Sequence, residues 1–489
     1  MTLPRSTPSA QGVDAAGLLA FVDAIERAGL DPHSLMVVRH GHVVAEGWWR
    51  PYAADRVHLA YSLSKTVTAT AVGFLVDEGR LSLDDRVLEH FPDLDRSGVA
   101  PGWEDVRVRH CLSMTVGHEE DAWGQVFDRM SGSDFGADTD WVRRVFATTP
   151  TREPGTVFAY NQVATYLLSL IVRRVSGEGV AEMLRPRLLD PLGLPDIPWH
   201  RDPLGRELGF TGSHLTTEAI ASVAQLYLGR GRWQGRRLLS EAWVEEATRA
   251  FGPLNEDPGA DEDWRRGYGY SFWMQRVGYR GDGAYGQFLV VLPEHDTVVA
   301  ITSEQERMQS TLEAMWEHLV PALGGAGVAG DAVDAGGGAD AGGGAEQALA
   351  ARLDALAIPA LGGVGPGPDA VELTRSAASD LARDYTAVSV TRDGADHVLG
   401  LQRAGEWLRL PVGSGAWREG ELVAGGATLP VVASGGWVDA ATFRAEVIVI
   451  ESPHRFRVEA RLGSGEADLT WRMVPLTGRD PLWLATRWS

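Results

Sequence analysis

The chain has 489 residues, a formal net charge of -21 and a pI near 5.1. This length exceeds what one hydrophobic core usually holds, so a large domain and a smaller one are expected. The acidic balance disfavours nucleic acid and anionic membranes as partners, and the single cysteine excludes an internal disulfide framework. Because the sequence shows no signal peptide and no run of 18 apolar residues, we expect a soluble, cytoplasmic protein.

Hydrophobic patterning predicts strands on both sides of a helical region. Alternating apolar residues indicate a hairpin over 34–49, and helical spacing indicates a helix over 62–78. Further helices are predicted over 106–114, 141–146, 161–175, 180–189, 217–230, 241–249 and 310–323, and strands over 267–275, 286–292 and 298–303. Strands at both ends can share one antiparallel sheet, so the expected fold class is α/β of the α+β type.

Residues 324–345 consist almost wholly of Gly, Ala, Asp and Val. Such a segment has too few large apolar side chains to pack and is predicted to be a flexible linker. Beyond it, a short amphipathic helix over 347–356 precedes short alternating segments typical of a small β-rich domain. The predicted organisation is a large domain over 1–323, the linker over 324–345 and a small β-rich accessory domain over 346–489.

Lys65 is the only lysine among the 45 basic residues, and Asn161 and Asn255 are the only asparagines. Arginine has replaced lysine wherever charge alone matters, which suggests that position 65 requires a lysine. Arginine stays protonated at any working pH, whereas a desolvated lysine can lose its proton and act as a base.

The sequence Ser62-Leu63-Ser64-Lys65 begins the helix predicted over 62–78. Residues i and i+3 share one face of a helix, so the Ser62 hydroxyl and the Lys65 amine can share a proton, as a serine nucleophile requires. Ser64 faces another side. The alternative interpretation is a serine that caps the helix beside a solvated lysine.

Several motifs together resemble the class C β-lactamase-related serine hydrolase family over about residues 34–323. They are His58-Leu59-Ala60-Tyr61-Ser62-Leu63-Ser64-Lys65-Thr66, Glu78-Gly79-Arg80-Leu81-Ser82-Leu83-Asp84-Asp85, the stretch 106–118 ending in Ser113-Met114-Thr115-Val116-Gly117-His118, and Pro154-Gly155-Thr156-Val157-Phe158-Ala159-Tyr160-Asn161. The resemblance implies a β-lactamase/transpeptidase-like antiparallel sheet flanked by helices, with a penicillin-recognising type of active site.

The family's second motif is commonly Tyr-x-Asn, in which the tyrosine helps to shuttle a proton and the asparagine binds the substrate carbonyl. This chain has Tyr160-Asn161-Gln162 in that place. The resemblance therefore implies a catalytic Tyr160, and it leaves the amide role open between Asn161 and Gln162.

The family's third motif is Lys or His, a small residue and Gly, on the strand beside the pocket. Here the corresponding place reads Arg280-Gly281-Asp282-Gly283-Ala284-Tyr285-Gly286-Gln287. Arg280 is a candidate for the substrate-binding cation, while Asp282 would oppose a carboxylate-bearing substrate such as a penicillin. Backbone N–H groups of Ser62 and of a residue near Ala284 would hold the oxyanion. The alternative is a Gly-rich turn with surface charges.

These residues predict a serine hydrolase that attacks a small-molecule ester or amide, with Ser62 acylated and Lys65 and Tyr160 as the base. A β-lactamase or D-amino-acid peptidase, a biosynthetic acyltransferase and a non-catalytic binding protein on the same fold remain alternatives. No cofactor is expected. The sequence His118-Glu119-Glu120 lacks a second histidine at ligand spacing, so no metal is expected there either. Oligomeric state is left open.

Overall fold

The chain forms two units, each built from two separate stretches of sequence. The computed structural model describes residues 3–126, 140–324, 339–485 and the backbone of 487–488. Unit 1 consists of Met1–Gly47 and Ala60–Ala355, and unit 2 consists of Trp48–Leu59 and Leu356–Ser489. The division departs from the predicted domain boundaries, because a short N-terminal segment belongs with the C-terminal residues.

Unit 1 contains a six-stranded antiparallel sheet in the order β2-β1-β6-β5-β4-β3. Its strands are β1 (Pro32–Arg39), β2 (His42–Trp48), β3 (Trp273–Met274), β4 (Tyr279–Gly283), β5 (Gln287–Leu292) and β6 (Thr297–Ser303). The N-terminal strand β1 pairs with β6, with Met36 opposite Ala300. Strands from the two ends of unit 1 therefore close one sheet, which confirms the predicted fold class.

Helices surround this sheet, and most of them lie where the apolar spacing predicts. They are α1 (Ala15–Arg27), α2 (Ser64–Asp77), α3 (Val108–Leu112), α4 (Trp123–Val126), α5 (Trp141–Phe146), α6 (Gln162–Ser176), α7 (Val180–Leu184), α8 (Asp190–Leu192), α9 (Thr217–Leu228), α10 (Glu241–Ala247), α11 (Met308–Ala314), α12 (Val320–Ala322) and α13 (Ala339–Asp354). One turn of π-helix joins α7 to α8, and another joins α11 to α12.

Unit 1 contains elements that are absent from the sequence prediction, among them α1, α4 and β4, and one predicted strand is wrong. Helix α1 is capped by the Asp14 side chain, which accepts from Ala16 N, and it buries a regular apolar face. Strand β4 contains two glycines and two charged residues, which are poor strand formers. In contrast, only Trp273–Met274 of the strand predicted over 267–275 pairs in the sheet.

Helix α13 takes up part of the predicted linker. Residues 325–338 lie outside the described part of the chain, but the helix already begins at Ala339. It packs on α1, where Arg352 forms ion pairs with Asp23 and Glu26. Leu349 is buried beneath the helix. These anchors explain why a helix forms in spite of its glycines.

Unit 2 is a β domain, as the alternating C-terminal pattern predicts. Its strands are β7 (Ala370–Arg375), β8 (Tyr385–Asp393), β9 (Asp396–Arg403), β10 (Glu406–Val412), β11 (Arg418–Ala424), β12 (Ala427–Trp437), β13 (Thr442–Val449), β14 (Arg455–Arg461), β15 (Glu466–Trp471) and β16 (Arg487–Trp488). The order is β10-β9-β8-β7-β15-β14-β13-β12-β11, with β16 paired to β12. Because β10 also contacts β11, the sheet is nearly closed.

No helix in the described residues is long and apolar enough to cross a membrane.

Residues 48–59 are an integral part of unit 2. The Tyr52 hydroxyl donates to Ser452 O over 3.1 Å, and Leu59 N donates to Glu451 O over 2.8 Å. Ile358 N donates to Arg50 O over 2.7 Å. The side chains of Trp49, Tyr52 and His58 are at most 5% exposed, so this segment supplies apolar surface that the C-terminal residues alone would leave uncovered.

We therefore expect a fragment of residues 356–489 to be markedly less stable alone than with a synthetic peptide of residues 48–59. The peptide adds buried side chains and backbone hydrogen bonds to the folded form only, so a saturating excess should raise the melting temperature. Circular dichroism melts check this, with a Tyr52→Ala peptide as the matched control. Equal melting temperatures with and without the native peptide would contradict the assignment.

Candidate active site

Ser62 lies at the entrance to a helix that is buried on almost every side. Tyr61–Leu63 form one turn of 3-10 helix that runs directly into α2. All residues from Ser64 to Leu75 are buried, as expected for a helix in the core of a large domain. Ser62 itself is half-buried. Its hydroxyl can therefore meet a ligand while the backbone is held by the core.

The Lys65 amine is the nearest basic group to this hydroxyl. Lys65 Nζ lies 2.9 Å from Ser62 Oγ and donates to Phe210 O over 3.0 Å. The residue is 1% exposed, and Nζ lies 4.6 Å from the centre of the Tyr160 ring. The i, i+3 spacing thus brings amine and hydroxyl together as predicted.

Burial lowers the pKa of Lys65 to about 7, although the nearby charges of Asp121 and Asp282 partly oppose the shift. The neutral amine is therefore accessible near neutral pH. With one N–H directed at the Phe210 carbonyl, the lone pair of a neutral amine can accept the Ser62 proton. An amine with such a pKa suits a general base at neutral pH.

Tyr160 is hydrogen-bonded to the Ser62 hydroxyl. Its ring stacks on Trp273 at 5.4 Å and 23°, and it meets the edge of Tyr268 at 6.1 Å. Burial and the negative charge of Asp282 raise the pKa of Tyr160 above its usual value. The phenol therefore stays protonated at neutral pH, and it can relay a proton but is not the resident base.

Ser64 points away from this group, as the helical geometry predicts. Its hydroxyl lies 2.7 Å from Ser213 Oγ and accepts from Ser213 N over 3.0 Å. Ser64 is fully buried. It fixes α2 to the segment before α9 and is not available to a ligand.

The amide of Asn161 is engaged in the framework of the site. Its Oδ1 accepts from Val163 N over 3.2 Å, which caps α6, and from Ala122 N over 3.3 Å. Its Nδ2 donates to His118 Nδ1 over 3.1 Å. Because Asn161 is 1% exposed, this geometry does not present its amide to a substrate carbonyl. The half-buried Gln162 is the other amide of the motif.

His118 is part of the same framework. Burial lowers its pKa to about 4, so the ring is neutral; its Nδ1 accepts from Asn161 and its Nε2 lies 2.9 Å from Thr148 Oγ1. Within residues 3–126, 140–324 and 339–485, no group of three or more His, Cys, Asp or Glu side chains is arranged to hold a metal ion.

Asp121 is a neighbour of the reacting groups that the sequence analysis did not single out. Its Oδ1 accepts from Gln162 N over 3.0 Å and from Trp123 N over 3.1 Å. The carboxylate thereby ties the loop before α4 to the start of α6, close enough to act on the Lys65 pKa. No motif marks it; the sequence offers only its place at the start of the loop 121–140, of which residues 127–139 lie outside the described part.

Strand β4 runs directly against the nucleophile turn, and two glycines make this approach feasible. A β-carbon added at Gly283 would lie 2.1 Å from Ala60 O, and one added at Gly281 would lie 2.4 Å from Thr66 Oγ1. Any larger side chain would push the strand away from Ser62. Glycine here permits close backbone approach, and it places the following residue, Ala284, beside the nucleophile.

Arg280 pairs with groups of the protein, and its role as a substrate-binding cation stays a prediction. The side chain is fully buried; Nε donates to Asp282 Oδ2 over 3.0 Å, and Nη1 donates to Asp263 O over 3.0 Å. The guanidinium also lies 4.1 Å from the centre of the Trp264 ring. Two of the three guanidinium nitrogens are thus engaged by the protein, while Nη2 has no hydrogen-bond partner among the described residues.

Asp282 is 8% exposed and lies close enough to Lys65 and Tyr160 to act on the pKa of both. Trp273 hydrogen-bonds to its side chain. Burial raises the pKa of Asp282, against the effects of Arg280 and Lys65. Asp121 and Asp282 thus lie near enough to the reacting groups to act on them electrostatically, and Asp282 lies in the segment where the resembling family has a cation.

A serine hydroxyl in contact with a buried amine of lowered pKa, at the edge of an antiparallel sheet, is an arrangement typical of a serine hydrolase. Comparison with known proteins gives the family: residues 22–324 match the family model described as Beta-lactamase. The chain therefore belongs to the β-lactamase family of serine hydrolases.

Two characterised relatives share this domain. The chain is 30% identical over 280 residues to the 6-aminohexanoate-dimer hydrolase of Paenarthrobacter ureafaciens, which covers 54% of this chain and 71% of the relative. It is 31% identical over 219 residues to Esterase EstB of Burkholderia gladioli, covering 40% and 55%. The crystal structure of SurE matches 94% of this chain and 98% of its own with a TM-score of 0.50 at 19% identity, so the fold likeness extends over both units.

Replacing Asn161 by alanine should destabilise the protein by about 1–3 kcal/mol, because it removes a helix cap and leaves a buried N–H group and a buried imidazole nitrogen unsatisfied. The matched control is Asn255→Ala, at the only other asparagine, which is half-buried and bonds to Trp264 O. Denaturant unfolding measures both. Equal stabilities of the two variants would show that Asn161 is not the structural anchor described here.

Proposed function

We propose that this protein hydrolyses a small-molecule ester or amide through an acyl-enzyme on Ser62, with the neutral amine of Lys65 as the base. The observation that carries the proposal is the 2.9 Å contact between Lys65 Nζ and Ser62 Oγ, together with the lowered pKa of that amine. The names of the two relatives, one a hydrolase of the 6-aminohexanoate dimer and one an esterase, are consistent with either an amide or an ester.

In the proposed reaction, Lys65 takes the Ser62 proton as Oγ bonds to the carbonyl carbon. The N–H groups of Ser62 and Ala284 receive the oxyanion, since Ser62 lies in the first helical turn, Tyr61–Leu63, where N–H groups lack helical acceptors. When the tetrahedral intermediate collapses, the proton passes from Lys65 through the Tyr160 hydroxyl to the leaving group. Water then attacks the acyl-enzyme, and the acid and free Ser62 are released.

The charges around Ser62 favour substrates without a carboxylate next to the scissile bond. Asp121 and Asp282 are close to the reacting groups, and the Arg280 guanidinium is paired with Asp282 and the Asp263 carbonyl. A penicillin or a peptide ending in a D-amino acid carries a carboxylate near the attacked carbonyl and would be repelled. Neutral esters and amides fit this pocket better, and transfer of the acyl group to an acceptor other than water uses the same intermediate.

Labelling with a fluorophosphonate probe tests the nucleophile and the base together. The wild type should be labelled on Ser62, and both Ser62→Ala and Lys65→Arg should abolish labelling, because arginine keeps the charge but stays protonated. The labelling rate should rise with pH through a midpoint near 7, as the Lys65 amine loses its proton, and then level off. Peptide mass spectrometry at a series of pH values provides the measurement.

An unlabelled wild type with a cooperative melting transition would reject the proposal and favour a non-catalytic binding protein. Labelling that persists in Lys65→Arg would keep the nucleophile but reject the amine as base. Ser64→Ala is the control for a nonspecific effect of removing a neighbouring hydroxyl, and its labelling should remain on the peptide that contains Ser62.

Two 4-nitrophenyl esters of equal chain length, one ending in a methyl group and one in a carboxylate, test the charge preference. We expect the wild type to favour the neutral ester by about 10-fold in kcat/KM, which corresponds to about 1.4 kcal/mol. Asp282→Asn should bring the kcat/KM values of the two esters closer together, mainly by lowering the KM of the charged ester. The variant removes the Asp282 carboxylate and leaves the Arg280 cation without its partner. Equal kcat/KM values for both esters in the wild type would contradict the proposed preference.

A further inference from the structure

Two tyrosines next to the proposed oxyanion site have a backbone conformation that tyrosine rarely adopts. Tyr61 has a φ of 47° and Tyr285 has a φ of 66°. Side chains with a β-carbon are disfavoured in this left-handed region, where glycine and asparagine are the usual residues. A bulky residue stays there only when its surroundings enforce it, and such positions concentrate at functional sites.

Each tyrosine directly adjoins one of the two proposed oxyanion donors. Tyr61 precedes Ser62, and Tyr285 follows Ala284. The two rings contact each other, with their centres 5.1 Å apart and their planes tilted by 59°. Tyr61 is 2% exposed and Tyr285 is half-buried. The ring contact therefore joins the turn that carries Ser62 to the turn that carries Ala284.

Hydrogen bonds fix the direction of the Ala284 N–H group. Gly286 N donates to Gly283 O over 3.2 Å, which closes a turn over residues 283–286. In a planar trans peptide the C=O and N–H groups point in opposite directions. With Gly283 O directed into the turn, the Ala284 N–H of the same peptide is directed out of it.

A polar network behind the turn holds the next two carbonyl groups. Gln287 Nε2 donates to Ala284 O over 3.1 Å. Tyr285 O accepts from Gln305 N over 3.1 Å and from Ser303 Oγ over 2.9 Å. These hydrogen bonds fix the backbone of the turn on the side of the sheet. The contact between the Tyr285 and Tyr61 rings connects the same turn to the turn that carries Ser62.

We propose that Tyr61 and Tyr285 are positioning residues whose ring contact holds both turns in their strained form, so that the Ser62 and Ala284 N–H groups converge on one oxyanion. The inference rests on the proposed acyl-enzyme function. Glycine would satisfy the backbone at position 285 better than tyrosine does. The ring contact supplies the reason for a tyrosine at a position that local conformation alone would assign to glycine.

Substitutions at Tyr285 separate the ring from the backbone conformation. Tyr285→Gly relieves the backbone and removes the ring, so we expect an unchanged or higher melting temperature but a kcat at least about 10-fold lower on the neutral 4-nitrophenyl ester, with KM little changed. Tyr285→Asn, which also tolerates this φ, should show the same loss. Tyr285→Phe keeps the ring and should retain a kcat close to that of the wild type.

The pattern across the variants distinguishes positioning from a purely structural role. A structural role predicts that activity follows the melting temperature, whereas positioning predicts loss of kcat in a stable protein and its recovery in Tyr285→Phe. A wild-type kcat in Tyr285→Gly would overturn this inference and leave the proposed function intact. An enzyme that the fluorophosphonate probe does not label at Ser62 would overturn both.

Discussion

The burial of one amine is the constraint around which unit 1 is organised. Lys65 lies in a helix whose residues are buried from Ser64 to Leu75, and it is itself only 1% exposed. An uncompensated ammonium in such a place is strongly disfavoured. The protein meets this constraint by lowering the pKa rather than by supplying a close ion pair, since Asp121 and Asp282 act on the amine without forming a direct bond to it. The reactive state of the serine follows from the packing of the helix.

The departure from the family's usual third motif is easier to understand from this constraint. A second cation beside the pocket would lower the Lys65 pKa further and would attract anionic substrates. In this chain the cation at that strand, Arg280, is directed into the protein and bound by Asp282 and the Asp263 carbonyl. What remains at the pocket is a carboxyl group and an aromatic wall formed by Tyr160, Trp273 and Tyr268. The motif that contains Ser62 and Lys65 resembles that of the family, whereas the residues that surround the proposed catalytic pair differ from the family's usual third motif.

Much of the fold could be predicted because apolar periodicity reports burial directly. Helices α2, α5, α6 and α9, and the pairing of terminal strands, follow from spacing alone. The Ser62 and Lys65 contact could also be predicted, since two residues three apart on a helix need no tertiary information. Strand β4 could not, because its glycines serve a close approach between elements that are distant in sequence. The roles of Asp121, Asn161 and Arg280 depend equally on long-range partners. The sequence gives the positions of these residues but does not show which groups their side chains contact.

The divided unit 2 has a consequence for synthesis on the ribosome. The first segment of unit 2, Trp48–Leu59, is synthesised before residues 60–355. The second segment of unit 2, which packs with it, begins only at Leu356. At typical elongation rates of 5–20 residues per second, about 300 residues take roughly 15–60 s. During that interval Trp49 and Tyr52 lack the surface that buries them in the finished protein. Unit 2 is thus completed last, although its first segment is made early. An interrupted translation product would therefore carry Ser62 and Lys65 together with an exposed aromatic segment.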